Sequence, residues 1–232
     1  MADFTANFEL GVNSNTVAAA DPGSATAWDS VTISAGGALT YDNAHAYGLL
    51  SAKFNNDAST TFTRLRWSSL PNPTESYGRF YLYITSYPSN RNEIFTDGEN
   101  TVSINLTALA GDGGVVRVGT LSGFVDGTVA VAINQWVRIE WHLIHNAVTG
   151  LLEVKLFNNP DSTVPTETIN STADKNTGAA NAFADFQNYR VAGPEAYILW
   201  MDNIVANATS YPGPIITGTA NLAPVIYGRG AC

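Results

Sequence analysis

The sequence of 232 residues contains a single cysteine, Cys232. One cysteine cannot form an intramolecular disulfide, and it cannot complete a Cys₄ or Cys₂His₂ zinc site. No stretch reaches the roughly 18 consecutive apolar residues that a membrane-spanning helix needs. We therefore expect no disulfide framework, no structural zinc and no insertion into a membrane.

Charged residues are also scarce, at 13% of the chain against a usual share of roughly 25%. Acidic residues outnumber Lys and Arg by 20 to 11, so the formal net charge is −9. Because contact with phosphate groups requires a basic surface, this balance argues against a nucleic-acid partner and against docking on anionic lipid. The 5 Trp, 10 Tyr and 10 Phe argue against intrinsic disorder.

Strand patterns dominate the rest of the sequence, while sustained helical periods are scarce. The runs between Trp136 and His145 and between Leu151 and Phe157 flank a five-residue loop ending in Gly150, which predicts a hairpin. Short runs without helices between them predict an all-β fold, a two-sheet antiparallel jelly-roll sandwich. Only the segment from Ala179 to Phe186 suits a helical turn. The other predicted strand runs are 31–33, 62–67, 79–84, 102–106, 115–120, 129–133 and 197–205.

The end of the domain is predicted at Pro212 and Pro214, because proline cannot join the inside of a sheet ladder. We expect one domain over residues 1–214 and an extended C-terminal arm over residues 215–232. The first residues lack the basic and apolar regions of a secretory signal, so we expect synthesis in the cytoplasm without a signal peptide.

The order of several short motifs resembles a known family. The motifs are Phe8-Glu9, Tyr41 to Gly48, Trp136 to Glu140, Gly150 to Val154, Trp200 to Val205 and Pro212 to Pro214. Over about residues 3–214 this order resembles the concanavalin A-like lectin/glucanase jelly rolls, also called LamG-like, above all those on virion proteins of tailed phages. The resemblance implies two sheets, one of them concave, with glycan binding or hydrolysis in the concave groove. It also implies one structural Ca²⁺ between the first and last strands, where Glu9 and Asp202 would supply carboxylate oxygens.

Strand alternation selects candidate residues for the glycan-binding concave face. Aromatic rings stack on the C–H faces of sugars, and Arg, Glu and His side chains form hydrogen bonds with hydroxyl groups. If the strands concerned are neighbours, their polar positions line one surface. An ordinary solvated face or a protein-contacting face is the alternative. The eight candidates are Arg64, Arg66, Arg79, Tyr81, Tyr83, Arg138, Glu140 and His142.

Catalytic signals are weak. A retaining glycosidase needs two carboxyl groups about 5–5.5 Å apart, which means neighbouring acidic residues on one strand face. The Glu-x-Asp-x-x-Glu run of jelly-roll glucanases is absent, and Glu140 is the sole carboxylate between Trp136 and His145. Acid–base work by Glu140 with His142 is the weaker alternative. We therefore predict that the protein is not an enzyme.

Together these features predict a bacteriophage virion surface protein, either a capsid decoration or head fibre or a minor tail protein, which adheres to host-surface glycans. Its expected partners are capsid or tail proteins of the same virion and further copies of itself, as a homo-oligomer. The assignment to a virion depends on the resemblance and on the lack of secretory and catalytic signals. The alternatives are a free carbohydrate-binding lectin module or, less favoured, a glycoside hydrolase or polysaccharide lyase.

Overall fold

A computed structural model describes residues 3–20, 26–97, 102–107, 114–121, 123–171, 176–178, 183–191 and 195–215. In these residues the chain forms fifteen β-strands and no helix, so none of the described segments is a helix that could cross a membrane. The strands are β1 Phe4–Ala6, β2 Ser30–Ile33, β3 Ala38–Asp42, β4 Ser51–Asn56, β5 Phe62–Trp67, β6 Glu75–Ile84, β7 Asn92–Asp97, β8 Val102–Thr107, β9 Val115–Thr120, β10 Gly123–Ala130, β11 Trp136–Ile144, β12 Leu151–Phe157, β13 Glu167–Asn170, β14 Ala184–Arg190 and β15 Tyr197–Asn207.

The strands form two antiparallel sheets that pack as a sandwich. Sheet A has the order β13-β12-β11-β6-β15-β4-β3, with β1 paired to β15. Sheet B has the order β10-β9-β8-β7-β14-β5-β2. We call the face of each sheet that is turned away from the other sheet its outer face. The predicted all-β, two-sheet architecture is confirmed.

Alternating side chains create the core between the sheets. On β6, Phe80 and Leu82 are fully buried in the core, and on β11 Ile139 and Trp141 are buried beside them. The ring of Trp141 stacks on Phe95 of sheet B, with ring centroids 5.0 Å apart. Burying one such large apolar side chain contributes roughly 1.5–3 kcal/mol. The period of two on β6 and β11 thus places their other side chains on the outer face of sheet A.

One glycine in the centre of sheet A makes room for this packing. A Cβ atom on Gly78 of β6 would lie 2.2 Å from the Trp141 ring and 2.6 Å from the carbonyl oxygen of Val205. Both neighbours belong to the strands that flank β6, so neither can move freely. Gly78 therefore leaves the space beside β6 that the indole of Trp141 fills.

Two predictions about chain organisation have different outcomes. The helical turn expected between Ala179 and Phe186 is wrong where the chain is described, because Ala184 to Phe186 begin strand β14; residues 179–182 lie outside the described residues. Ala184 and Phe186 are buried in the core, which explains the extended conformation. The predicted C-terminal arm stays a prediction, since 216–232 lie outside the described residues.

Candidate functional site

Six of the eight predicted glycan-binding residues lie together on the outer face of sheet A. Strand β11 pairs antiparallel with β6 in a register that places Arg138 opposite Tyr81 and Glu140 opposite Arg79. The same register places His142 opposite Tyr77. The six residues are Arg79, Tyr81, Tyr83, Arg138, Glu140 and His142.

Arg64 and Arg66 do not share this surface, and the prediction that they do is wrong. Both lie on β5, which belongs to sheet B, so they occupy the outer face on the opposite side of the sandwich. There the carboxylate of Asp185 accepts hydrogen bonds of 2.6 and 2.7 Å from Arg66 and one of 3.3 Å from Arg64. Strand alternation predicted that these side chains point outward, but it contains no information about which sheet a strand joins.

The protein's own chain covers the middle of the sheet A face. The guanidinium of Arg138 donates hydrogen bonds to the carbonyl oxygens of Pro160 and Ser162 in the loop after β12. Residues 211–215, which follow β15, cross β6 as a segment that we call the tail segment. The carbonyl of Gly213 accepts a 2.5 Å hydrogen bond from Arg79, and the amide of Ile215 donates a 2.8 Å bond to the hydroxyl of Tyr81.

These contacts leave several predicted residues with almost no exposed surface. Tyr81 is 0% exposed, Arg138 is 1% exposed and Glu140 is 3% exposed. They therefore hold the covering segments in place instead of facing solvent. Nε of Arg138 lies 3.0 Å from Oε1 of Glu140, and burial raises the pKa of Glu140 although the neighbouring cations oppose the shift.

His142 is also engaged within the protein. Its Nε2 lies 2.9 Å from Oε1 of Glu75, and its ring stacks on Tyr77 with centroids 4.1 Å apart. The hydrogen bond from His142, followed by one from Tyr77, lowers the pKa of Glu75. The Glu140 and His142 side chains, which the sequence offered as the weaker acid–base alternative, thus each have a separate partner.

A group of aromatic side chains at the end of β6 stays partly open on this face, and we call it the aromatic patch. Its rings contact one another: His45 lies 4.5 Å from Tyr83 and 4.3 Å from Trp200, and Tyr83 lies 5.6 Å from Trp136, between ring centroids. All of its rings except Trp200 are partly exposed to solvent. The members of the aromatic patch are His45, Tyr47, Tyr83, Trp136 and Trp200.

Of these five residues, sequence reasoning selected only Tyr83. Trp136 stands two residues before Arg138 on the same strand face. That spacing could have identified Trp136 as a candidate binding residue. Trp200 reaches the patch because β15 pairs with β6 and places Trp200 opposite Tyr83. His45 comes from the loop between β3 and β4, whose position no local pattern predicts.

Two buried or half-buried carboxylates hold this loop against the sheet. Asp202 on β15 accepts a 3.1 Å hydrogen bond from the amide of Tyr47, and Glu9 accepts a 2.8 Å bond from the amide of Leu49. The hydroxyl of Tyr47 donates a 2.5 Å bond to Asp161, which ties the loop to the segment after β12. The aromatic patch is therefore supported from both sides by polar contacts.

Glu9 and Asp202 are also the residues predicted to bind calcium. Their carboxylate oxygens accept backbone amides at Leu49, Tyr47 and Asn203, the last at 2.7 Å from Oδ1 of Asp202. In the part of the chain that the structure describes, no cluster of three or more His, Cys, Asp or Glu side chains surrounds a possible ion. Since Ca²⁺ takes 6–8 oxygen ligands, these two side chains alone do not fit it well, and calcium binding stays a prediction.

Comparison with known proteins identifies the fold. No protein-family model and no curated protein matches the sequence. Among solved structures, the cellulose induced protein Cip1 is similar with a TM-score of 0.55 and 16% identity, over 79% of this chain and 94% of that one. A GH131 β-glucanase catalytic domain from Podospora anserina has a TM-score of 0.50 and 14% identity, over 79% and 85%.

A structure of botulinum neurotoxin type C is also similar, with a TM-score of 0.52 and 11% identity. The match covers 86% of this chain but only 48% of the toxin chain. These likenesses, together with the two antiparallel sheets, define the class of protein: the chain is a jelly-roll β-sandwich.

Proposed function

We propose that this protein is a carbohydrate-binding jelly-roll module and that the aromatic patch is its sugar-contacting surface. The observation that carries the proposal is the group of mutually touching, partly exposed rings of His45, Tyr47, Tyr83 and Trp136 on one sheet face. Flat aromatic faces stack on the C–H faces of sugar rings. Contiguous groups of exposed large rings mark interaction sites such as ligand-binding grooves.

The rim of the aromatic patch offers the polar groups that sugar hydroxyls require. Lys53 lies with Nζ 5.6 Å from the centre of the Trp200 ring and 3.6 Å from a carboxylate oxygen of Asp42. Asp161 lies on the other side, where it accepts the hydrogen bond from Tyr47. Donors and acceptors around an aromatic floor suit a polyhydroxylated ligand better than a purely apolar one.

Several structural neighbours support this proposal by what they act on or bind. One is a β-glucanase catalytic domain, another is a sialidase, and the cell entry of botulinum neurotoxin type C depends on interaction with two ganglioside molecules. All three concern proteins that act on or bind carbohydrate-containing molecules. At 10–14% identity the likeness extends to the fold, so the ligand of this chain has to be tested directly.

A glycan array tests the proposal. We expect the wild-type chain to bind a subset of glycans, and Trp136→Ala and Tyr83→Ala each to weaken that binding by about tenfold, the factor that 1.4 kcal/mol represents. Phe124→Ala is the matched control, because Phe124 is 50% exposed but lies on sheet B. Equal binding by all four proteins, or an array without signal, would refute the sugar-contacting role of the patch.

We also propose that the module does not cleave the glycans that it binds. Glu140 is buried against Arg138, and His142 is bonded to Glu75, so neither is presented to solvent as a free acid or base. The test is an assay of reducing-sugar release from each glycan that gives an array signal. Release by the wild-type chain above a protein-free control would refute this part of the proposal, and its loss in Glu140→Gln but not in Glu75→Gln would assign the cleavage to Glu140.

For the biological setting we propose the surface of a phage virion, as a capsid decoration, head fibre or minor tail protein, with capsid or tail proteins as partners. This setting rests on the family resemblance of the sequence. Light scattering on the full chain and on a chain ending at Pro214 tests the assembly that it implies. A defined homo-oligomer that becomes monomeric on truncation supports a structural role. A monomer in both cases favours a free lectin module.

A further inference from the structure

The chain passes from sheet A to sheet B between β13 and β14, and residues 176–178 of this connection form a segment that we call the crossover strap. The buried hydroxyl of Thr177 donates a 2.6 Å hydrogen bond to the carbonyl of Ile144 and accepts one of 3.0 Å from the amide of Asn146. A carbonyl of the strap also accepts a 3.3 Å bond from the amide of Leu121, in the turn between β9 and β10. The strap is therefore held by hydrogen bonds between that turn and the β11–β12 hairpin.

A buried histidine–carboxylate pair lies next to the strap. His145 follows β11 of sheet A and Asp97 ends β7 of sheet B, and their side chains are 8% and 0% exposed. Nε2 of His145 lies 3.0 Å from Oδ2 of Asp97, and Nδ1 lies 3.0 Å from the carbonyl oxygen of Thr177. The pair thus joins the two sheets to each other and to the strap.

The two partners of the His145 ring determine how many protons the pair needs. A carbonyl oxygen and an ionised carboxylate only accept hydrogen bonds, and a neutral imidazole has a single N–H group to donate. The ring can therefore bond to both Asp97 and Thr177 only while the pair holds one extra proton, either on the ring or on the carboxyl group. Loss of that proton leaves a lone pair of the ring facing a lone pair of an acceptor 3.0 Å away.

The surroundings keep this proton on the pair. Burial raises the pKa of Asp97 to about 6, although His145 opposes the shift. Burial alone would lower the pKa of His145, but the hydrogen bond and charge of Asp97, together with the Thr177 carbonyl, raise it. Within the described part of the chain no other charged side chain contributes to either shift. The nearby Glu75 and His142 bond to each other on the outer face of sheet A.

The strap is the part of this arrangement that is free to move. The amide of His145 donates a 2.9 Å hydrogen bond to the carbonyl of Thr74. Asp97 is paired with Val102 of β8 on one side and with Ala184 of β14 on the other. The strands thus fix both members of the pair, whereas residues 176–178 belong to neither sheet. Repulsion at the ring is therefore relieved by displacement of the strap.

We propose that the crossover strap is a pH-dependent latch, which stays closed while the His145–Asp97 pair holds its extra proton and opens when the pair loses it. The folded pair keeps this proton to a higher pH than the same two groups do in the unfolded chain. Closure is therefore complete on the acid side, and it is lost as the pH rises through the raised pKa of His145. The latch is separate from the aromatic patch and does not depend on carbohydrate binding.

Hydrogen exchange followed by NMR on the full-length, ¹⁵N-labelled chain tests the latch. The amides of Asn146 and Leu121 report opening of the strap, because their acceptors belong to it, and the amide of Ile139 in the centre of sheet A reports global unfolding. From about pH 5.5 to about pH 8.5 we expect the protection factors of the first two to fall by about tenfold or more relative to that of Ile139. Ring ¹⁵N shifts should show His145 losing its charge over the same range.

Asp97→Asn removes the need for a proton while it keeps both hydrogen bonds. The new amide group donates to Nε2 of His145, and the neutral ring donates from Nδ1 to Thr177. We expect the relative protection of the strap-bonded amides in this variant to be the same at both pH values. Glu75→Gln is the matched control, because it removes the carboxylate of the other histidine pair, that of His142, and should leave the pH dependence of the wild type in place.

Several results would overturn the latch. One is a relative protection in the wild type that does not change between the two pH values, and another is a His145 ring whose charge stays constant. A pH dependence that persists at full size in Asp97→Asn, or that disappears in Glu75→Gln, also overturns it. If Asp97→Asn does not fold, the wild-type protection factors and ring titration decide the question by themselves.

Discussion

Glu93 allows the sharpest prediction about this protein, which concerns its stability as a function of pH. The residue lies on β7 at the outer face of sheet B and is 7% exposed. Its Oε1 accepts a 2.7 Å hydrogen bond from Nε2 of Gln187. Burial, with a smaller contribution from the charge of Asp185, raises the pKa of Glu93 from 4.5 to about 7, although Arg91 opposes the shift.

The direction of the effect follows from proton binding. Below pH 4.5 the carboxyl group is protonated in both the folded and the unfolded chain. Burial then costs no free energy for removing a charge from water. As the pH rises toward about 7, the unfolded chain loses the proton first, and the free energy of unfolding falls. Above about pH 7 the free energy of unfolding has fallen by its full amount. At 1.36 kcal/mol per pKa unit, the difference between the two pKa values corresponds to about 3 kcal/mol.

Glu93→Gln removes this penalty while it keeps an oxygen that accepts the hydrogen bond from Gln187. We expect the variant to gain stability over the wild type as the pH rises, by about 2–3 kcal/mol between about pH 5 and about pH 8.5. Urea unfolding of both proteins at the two pH values measures this gain by linear extrapolation. A ¹³C-carboxyl NMR titration of Glu93 gives an independent midpoint, which should lie near 7.

Two results would refute the reasoning. A stability difference between variant and wild type that is the same at both pH values would mean that Glu93 ionises equally easily in the folded and unfolded chain. An NMR midpoint close to 4.5 would mean that water or a cation compensates the buried carboxylate.

Three further predictions concern other parts of the sandwich. Gly78→Ala should lower the free energy of unfolding by about 3 kcal/mol or more, measured by urea unfolding, because the added methyl group overlaps the Trp141 ring. Asp57→Asn should destabilise the protein above about pH 4, because hydrogen bonds from Ser59 and Thr60 lower the pKa of Asp57 to about 2. In acid-unfolding curves this difference in stability should shrink as the pH falls through that value. If calcium binds, chelation with EDTA should lower the melting temperature, and an unchanged melting temperature would eliminate the metal.

The sequence by itself determined the fold class and the direction of many side chains. Alternation along Arg79 to Ile84 and along Trp136 to His145 correctly predicted which residues enter the core. The loop ending at Gly150 correctly predicted that β11 and β12 form a hairpin. These features depend on local physics, because the side-chain period of a strand and the conformation of a short loop involve only neighbouring residues.

Sheet membership and strand order were decided by the tertiary structure. The sequences around Arg64 and Arg138 have the same alternating pattern, yet β5 joins sheet B and β11 joins sheet A. Strand β14 was missed because its alanine-rich beginning suits a helix locally, whereas burial of Phe186 against the other sheet requires an extended chain. The energy of strand pairing comes from contacts between residues far apart in the sequence. A short stretch of sequence therefore does not predict which strands pair.

The candidate site shows most clearly which features the local sequence determines and which depend on the tertiary structure. Tyr83 and Arg138 were recognisable as outward-facing residues of two strands. That Tyr83 stays partly exposed while Arg138 is buried depends on the loop after β12, which accepts the hydrogen bonds of Arg138. His45 joins the aromatic patch because Asp202, 157 residues further along the chain, holds the amide of Tyr47. Outward direction is a property of the strand, but accessibility to a ligand is a property of whatever the rest of the chain places above it.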